Sequence, residues 1–193
     1  FTGSQGLVPL NAAVPAYPAD PFVQQLVARY KAAAEPLAQR PVGRASAPLL
    51  RVRNEALESA LGNLVADAQL AATRAPQKGG AQLSFMNPGG LRADQPFGNN
   101  IMVRTYTGAQ IRAVLEQQFA GGTSTPQSPR VLSVSEGFGY RYDLSQPAGS
   151  RISQMTLHGK PLEDTAEVRV AISSLLASGG DGFTVFMEGR DTT

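Results

Sequence analysis

Three short stretches of this chain combine glycine with the kinds of side chain that hold small ligands: Asn87-Pro88-Gly89-Gly90-Leu91-Arg92, Gln95-Pro96-Phe97-Gly98-Asn99-Asn100 and Ser178-Gly179-Gly180-Asp181-Gly182-Phe183. Glycine lets a backbone approach a ligand closely. Phe97 offers a flat face on which a base can stack. Asp181 can accept hydrogen bonds from a ribose diol. Arg92 can grip a phosphate or carboxylate with its planar fork, and Asn87 supplies an amide donor and acceptor. The set has the shape of a nucleotide site without a nucleophile or a metal centre. Each group also has a structural use. Gly-Gly-Asp is common in tight turns, Phe97 beside Pro96 suits a core anchor, Arg92 a surface charge and Asn87 a turn cap. Gly89-Gly90 is not a P-loop, because no Gly-Lys-Ser/Thr follows. Spacing alone supports a ligand-binding domain and nothing narrower.

Composition removes whole classes of chemistry. The 193 residues contain no cysteine, so disulfides, thiolate nucleophiles and Cys-ligated metals are excluded. His158 is the only histidine, which rules out a His-rich metal centre. It falls in a predicted hairpin turn and reads as a solvated side chain. Glu58, Asp67, Asp143 and Glu163 show no paired-carboxylate spacing. Lys+Arg 17 against Asp+Glu 15 leaves a net charge of only +2, with the arginines scattered along the chain, so no nucleic-acid footprint is expected despite a pI of 9.2. No apolar run reaches the ~18 residues of a membrane span. Phe1-Thr2-Gly3-Ser4 has neither a basic nor an apolar leader pattern, and the chain reads as a mature form or a fragment of a longer protein. Hydrophobic residues at 42% and charged residues at 17% are those of a folded domain.

The elements that must position the three loops can be read from periodicity. Residues 1–19, with Pro9, Pro15 and Pro18, form an extended lead-in. Asp20-Pro21 starts a helix carrying Phe22, Leu26, Tyr30 and Leu37 to about Gln39, ended by Pro41 and Gly43. Ser59 caps a second helix to Thr73, with Leu61, Leu64, Val65 and Ala68 on one face. Strands are predicted at 81–86, 101–106, 131–135, 138–144, 152–157 and 168–172, with His158-Gly159 in a hairpin between the last two. Thr107 caps a helix bearing Ile111, Val114, Leu115 and Phe119. Residues 173–177 form a helical turn, and 183–186 a closing strand. Helices and strands mix without regular alternation, which favours α+β over a doubly wound parallel sheet.

The motifs also occur in a particular order: Glu58-Ser59-Ala60-Leu61-Gly62-Asn63-Leu64, Asp67-Ala68, Asn-x-Gly-Gly-x-Arg, Pro-Phe-Gly-Asn, Thr107-Gly108 and Gly-Gly-Asp-Gly-Phe. This series resembles the C-terminal, substrate-binding domain of the 5'-nucleotidase family of metallophosphoesterases, over about residues 44 to 190. The resemblance implies mixed β-sheets layered with helices in an α/β/β/α sandwich. It divides the chain into a linker segment with a helix, 1–43, and a nucleotide-recognition domain, 44–193. It implies that this chain carries no catalytic residue and no cofactor. Two divalent metal ions would sit in a separate N-terminal metallophosphatase domain of the same polypeptide, and this domain would bind the nucleoside part of a nucleotide. The implied setting is bacterial and exported: periplasmic, secreted or at the cell surface.

Carried over residue by residue, Phe97 falls on a base-stacking phenylalanine and Asp181 on the aspartate that holds the ribose hydroxyls. Asn87 and Arg92 fall on the substrate-binding asparagine and arginine. A further family arginine lies just ahead of the Gly-Asn helix; Leu57 occupies the ungapped position here, and Arg53 serves only if the loop is longer. Leu175 stands where a second stacking phenylalanine is expected, which leaves a one-sided clamp. Only Ala93-Asp94-Gln95 separate Arg92 from Pro96, where the family has a longer segment, so either a loop is missing from this sequence or a deletion reshapes the pocket. Two alternatives stay open: a non-catalytic ligand- or partner-binding module, and the same architecture serving a sugar nucleotide, a cyclic nucleotide or a sulfur ester.

Overall fold

The computed structural model describes residues 19–40, 47–91 and 100–193. Two units divide between Ala47 and Pro48. In the first, helix α1 (Pro21–Ala38) begins on Asp20, whose carboxylate accepts from the amides of Phe22 and Val23. Phe22, Leu26, Tyr30 and Leu37 are exposed along it.

The second unit, 48–193, holds α2 (Ala60–Thr73), β1 (Leu83–Met86), β2 (Ile101–Thr107), α3 (Gly108–Ala120), β3 (Ser133–Val134), β4 (Phe138–Tyr142), β5 (Ile152–Leu157), β6 (Lys160–Pro161), β7 (Glu167–Ser173) and α4 (Ser174–Ala177). One sheet has the order β2-β7-β1-β3 and the other β4-β5-β6. The β1–β7 pair is parallel, with Leu83 opposite Val170 and Ser84 opposite Ala171. The β7–β2 and β1–β3 pairs are antiparallel. This is a mixed α+β fold, as the element order predicts. All four residues of β1 are buried, the continuous apolar pattern of a strand covered on both faces.

The core gathers Leu83 and Phe85 of β1, Tyr106 of β2, Ile172 of β7 and the predicted face of α3, Ile111, Val114, Leu115 and Phe119. Phe85 meets Phe138 edge-on at 5.8 Å, tying one sheet to the other. A capping box opens α3: the Gln110 amide donates to the Thr107 hydroxyl, and the Gln110 side chain accepts from the Thr107 amide. Two polar side chains of α3 then serve as backbone partners. Glu116 accepts from the amides of Gly149 and Ile152, and Gln118 accepts from that of Leu132.

Three features depart from the periodicity reading. The buried positions of α2 are Gly62, Ala66 and Thr73, and Leu64 is exposed. The helix lies so close to β3 that a Cβ on Gly62 would stand 2.0 Å from the Ser133 hydroxyl, so small residues form the contact face. The His158-Gly159 turn joins β5 to the two-residue β6, not to β7; both turn residues have positive φ, 51° and 75°, as a two-residue hairpin of this kind needs. Residues 184–188 are a 3-10 turn, not a strand. Phe183 and Phe186 are both buried, and a spacing of three places them on one side of a 3-10 turn but on opposite faces of a strand.

Two phenols, the buried Tyr106 and the half-buried Tyr140, give the fold an alkaline limit. The Tyr106 hydroxyl donates to the Phe186 carbonyl at 2.7 Å, and burial pushes its pKa up to about 12 against the pull of the nearby Arg104 guanidinium. Burial also raises that of Tyr140, which exchanges hydrogen bonds with Gln118. In the unfolded chain both ionise near pH ~10. Their contribution is therefore complete below that pH and is lost as pH climbs toward the folded values. Urea denaturation should show stability falling above pH ~10, by up to ~1.4 kcal/mol per pH unit for each tyrosine. The double variant Tyr106→Phe/Tyr140→Phe should flatten that limb, and an unaltered slope would refute the assignment.

Candidate functional site

The parallel pair positions the site. Strands β1 and β7 end side by side, and each runs on into a glycine-rich segment. After β1 comes Asn87 and a 3-10 turn, Pro88–Gly90. After β7 come α4 and the 3-10 turn Gly180–Gly182. The two segments meet: Asn87 Nδ2 donates to Asp181 Oδ2 at 2.6 Å. The other carboxylate oxygen, Oδ1, accepts from Arg130 Nη1 at 3.1 Å. Asn87 is 1% exposed, and its Oδ1 has no hydrogen-bond partner among the described residues.

Asp181 is held in an unusual backbone state. Its φ is 57°, with Gly179 at 80° and Gly182 at 88° on either side. Aspartate tolerates the left-handed region better than most residues, yet such a state costs of order 1 kcal/mol or more and persists only when its surroundings enforce it. Gly182 supplies much of that enforcement. A Cβ there would lie 2.8 Å from the carbonyl of Gly121, so the loop presses its backbone against the end of α3.

The carboxylate faces a cleft of about 360 Å³ between the start of α2 and the ends of β1 and β3, lined by Arg51, Arg53, Ser59, Arg130, Ser133 and Asp181 among others. Arg53 Nη1 donates to the carbonyl of Pro129 at 3.3 Å. Among the described residues, Asp181 is the only acidic group in the lining, and it is paired. Arg51 and Arg53 have no carboxylate partner among the described residues. The described wall therefore carries an excess of two positive charges, which draws anions in.

The structure thus brings Asn87, Asp181 and Arg53 to one place. Leu175 lies on α4, 39% exposed, and is absent from the described lining of the cleft. Arg92, Phe97 and the short Arg92–Pro96 segment lie outside the described residues. Arg51 and Arg130 carry no motif signal. Arg51 does stand two residues before Arg53, a spacing that repeats a side in extended chain, and Arg130 closes a loop just before a predicted strand. No three His, Asp or Glu side chains among the described residues stand together as a metal site, so the donor set of this cleft does not fit a metal centre.

A mixed α+β domain with a cationic cleft at the ends of a parallel strand pair is the class of protein these features define. The chain belongs to the 5'-nucleotidase family: residues 41–188 match the model of the 5'-nucleotidase C-terminal domain. It is 32% identical over 155 residues to a trifunctional nucleotide phosphoesterase protein of Bacillus subtilis, covering 68% of this chain and 10% of that protein. A cell wall protein of Listeria monocytogenes is 32% identical over 161 residues, covering 70% of this chain and 19% of that protein. Among solved structures, a 5'-nucleotidase precursor from Thermus thermophilus superposes with a TM-score of 0.68 at 32% identity, over 93% of this chain and 38% of that one. The Haemophilus influenzae NAD nucleotidase shares the fold, at 22% identity and a TM-score of 0.61, over 88% of this chain and 34% of that one. The chain spans well under half the length of each of these proteins.

If the Asp181 loop is seated by backbone contact with α3, Gly182→Ala should destabilise the domain by ~1–3 kcal/mol, from the misfit of a Cβ and a positive φ together. Thermal or urea unfolding measures this. A variant as stable as the parent would show that the loop does not depend on that contact.

Proposed function

We propose that this chain is the substrate-recognition part of an exported 5'-nucleotidase-type phosphohydrolase. It binds the nucleoside portion of a nucleotide, while a separate N-terminal domain with two divalent metal ions hydrolyses the phosphate ester. The observation that carries the reading is Asp181, aimed into an arginine-lined cleft and held on both oxygens, within a domain of this family. A ribose diol needs an oriented carboxylate with lone pairs to offer. Asp181 is oriented by Asn87 on Oδ2 and by Arg130 on Oδ1, and a carboxylate oxygen that accepts one hydrogen bond has capacity for a second.

The roles follow from chemistry. Asp181 accepts from the ribose hydroxyls. Asn87, buried beneath it, holds that carboxylate in place. Arg53 and Arg51 hold phosphoryl oxygens, as the charge excess of the wall favours. Phe97 stacks on the base and Arg92 orients polar groups of the ligand; both assignments rest on the family resemblance. Leu175 leaves the opposite face of the base without an aromatic partner. The metal ions would supply an activated water and polarise the phosphoryl group in the other domain; this chain binds and orients. Export is supported by the similarity to a Listeria protein described as a cell wall protein.

Calorimetric titration with adenosine and adenosine 5'-monophosphate tests this. Asp181→Ala should weaken adenosine binding about ten- to a hundredfold, the worth of hydrogen bonds to a charged group at ~1.5–3 kcal/mol. Phe97→Ala should cost ~1–3 kcal/mol through the lost stack. The chain alone should turn over no nucleotide. Unchanged affinity in both variants would overturn the nucleoside assignment and favour a module with some other ligand.

A further inference from the structure

The two ends of the segment that carries Asp181 converge on one guanidinium. Arg104 of β2 donates through Nη1 to the carbonyl of Ala177 at 3.0 Å and to that of Phe186 at 3.2 Å. Ala177 ends α4, four residues before Asp181, and Phe186 lies five residues after it. A single nitrogen thus closes the base of the loop from the sheet. Side chains two apart on a strand share a face, so Tyr106 stands beside Arg104, and its hydroxyl donates to the same Phe186 carbonyl at 2.7 Å. Arg104 Nε donates to the Thr192 hydroxyl at 3.0 Å, where the chain returns along β2. There the amide of Thr105 donates to the Arg190 carbonyl at 2.8 Å, and that of Val103 to the Thr193 carbonyl at 3.0 Å. The return passes so closely that a Cβ on Gly189 would press on the Tyr106 ring and the Arg104 side chain.

Arg104 is half-buried and has no carboxylate partner among the described residues. A guanidinium withdrawn from water is costly unless its donors are used, and here they are used on the loop. That loop needs holding. Gly179, Gly180 and Gly182 give it many shapes, and fixing one of them costs entropy. Asp181 sits among them with a φ of 57°, a state that persists only where the surroundings over-determine it. The contacts of Asn87, Arg130 and α3 act at the tip of the loop. Arg104 acts at its base. It is absent from the described lining of the cleft, so it reaches a ligand only through the loop.

We propose that Arg104 is a positioning residue of this site: by tying both ends of the Asp181 loop to β2, it sets the carboxylate in the cleft without touching a ligand. Its effect on ligand affinity rests on the assignment of Asp181 to the ribose; its effect on the loop does not. The neighbouring strand supplies a matched control. Arg169 of β7 donates to the same returning segment, to the Asp191 carbonyl at 2.6 Å and the Thr193 hydroxyl at 3.0 Å. It also donates to the Gly79 carbonyl and the Thr105 hydroxyl. None of these bonds reaches the Asp181 loop. Loss of Arg169 therefore loosens the sheet edge alone, and loss of Arg104 frees the loop as well.

The test combines amide hydrogen exchange, read by NMR, with calorimetric titration by adenosine, both on the 193-residue chain. The parent is compared with Arg104→Met, Arg104→Lys and Arg169→Met, each first shown to be folded by circular dichroism and thermal melting. The reporters are the amides of Gly179 and Phe183, which bond the carbonyls of Leu176 and Gly180. In Arg104→Met they should exchange about tenfold faster relative to the amides of β1, and in Arg169→Met at the parent's rate. Adenosine affinity should fall about five- to tenfold in Arg104→Met, be kept in part by Arg104→Lys, which retains the charge, and hold in Arg169→Met. A merely structural role would move the two methionine variants alike, and that result overturns the inference. So do loop amides that exchange in Arg104→Met as they do in the parent. If Arg104→Met does not fold, Arg104→Lys against Arg169→Met decides by the same two readouts. Adenosine binding that depends on Asp181, with no loss in Arg104→Met, leaves the nucleoside reading intact and sinks this one. Loop amides freed by Arg104→Met alone, in a parent that binds no adenosine, do the reverse.

Discussion

The cleft exists because β1 and β7 run parallel. Residues that follow two neighbouring parallel strands emerge at the same end of the sheet. Two segments separated by most of the domain's sequence are thereby delivered to one spot, and Asn87 meets Asp181 across 94 residues. Were β7 antiparallel to β1, the Asp181 loop would leave from the opposite end, and no side chain could span the difference. The parallel pair pays for this with a long connection, and that connection contains the rest of the domain. β2 and α3, along with the entire second sheet, lie between the two strands in sequence. The antiparallel partners on either side, β2 and β3, then fix the register that brings the two loops level.

A second constraint is electrostatic. One carboxylate in a wall of arginines is a stable arrangement only if its oxygens are held, because a mobile aspartate would pair with whichever guanidinium came nearest. The fold holds Asp181 from three directions: a buried amide, an arginine and a backbone pressed against α3. Its left-handed φ is the visible cost. The result is an acceptor oriented before any ligand arrives, and an oriented acceptor loses less entropy on binding than a free one. The same reasoning explains why Asn87 is fully buried. An asparagine open to solvent would trade its hydrogen bond with water and stop acting as a support.

Much of the fold was legible because its signals are local. The Thr107 cap, the face of α3 and the full span of β5 follow from sequence neighbours a few residues apart. The failures share one physical cause: each depends on what an element packs against. The contact face of α2 is set by how near β3 lies, so glycine and alanine outrank leucine there. The phenylalanines of 183–186 look like a strand until the core shows that both must face inward. β6 contains a proline and is two residues long, too short for any pattern. At the site, Asn87 and Asp181 could be singled out by their glycine settings and family order. Arg51 and Arg130 could not, since a lone arginine carries no local signature and acquires meaning only from the carboxylate and the cleft around it.

The composition of the wall also bears on how labour is divided in such a protein. On the function proposed here, arginines and a single clamped aspartate hold the nucleotide, and the groups that attack phosphorus come from the other domain. Binding energy gained at the ribose and phosphate becomes catalytically useful only when it fixes the ester against reactive groups supplied from elsewhere. On the function proposed here, rigidity at Asp181 is therefore the contribution this chain makes to rate. An ester anchored at its sugar by a carboxylate that does not move presents its phosphate along one direction, and the partner domain has one geometry to meet.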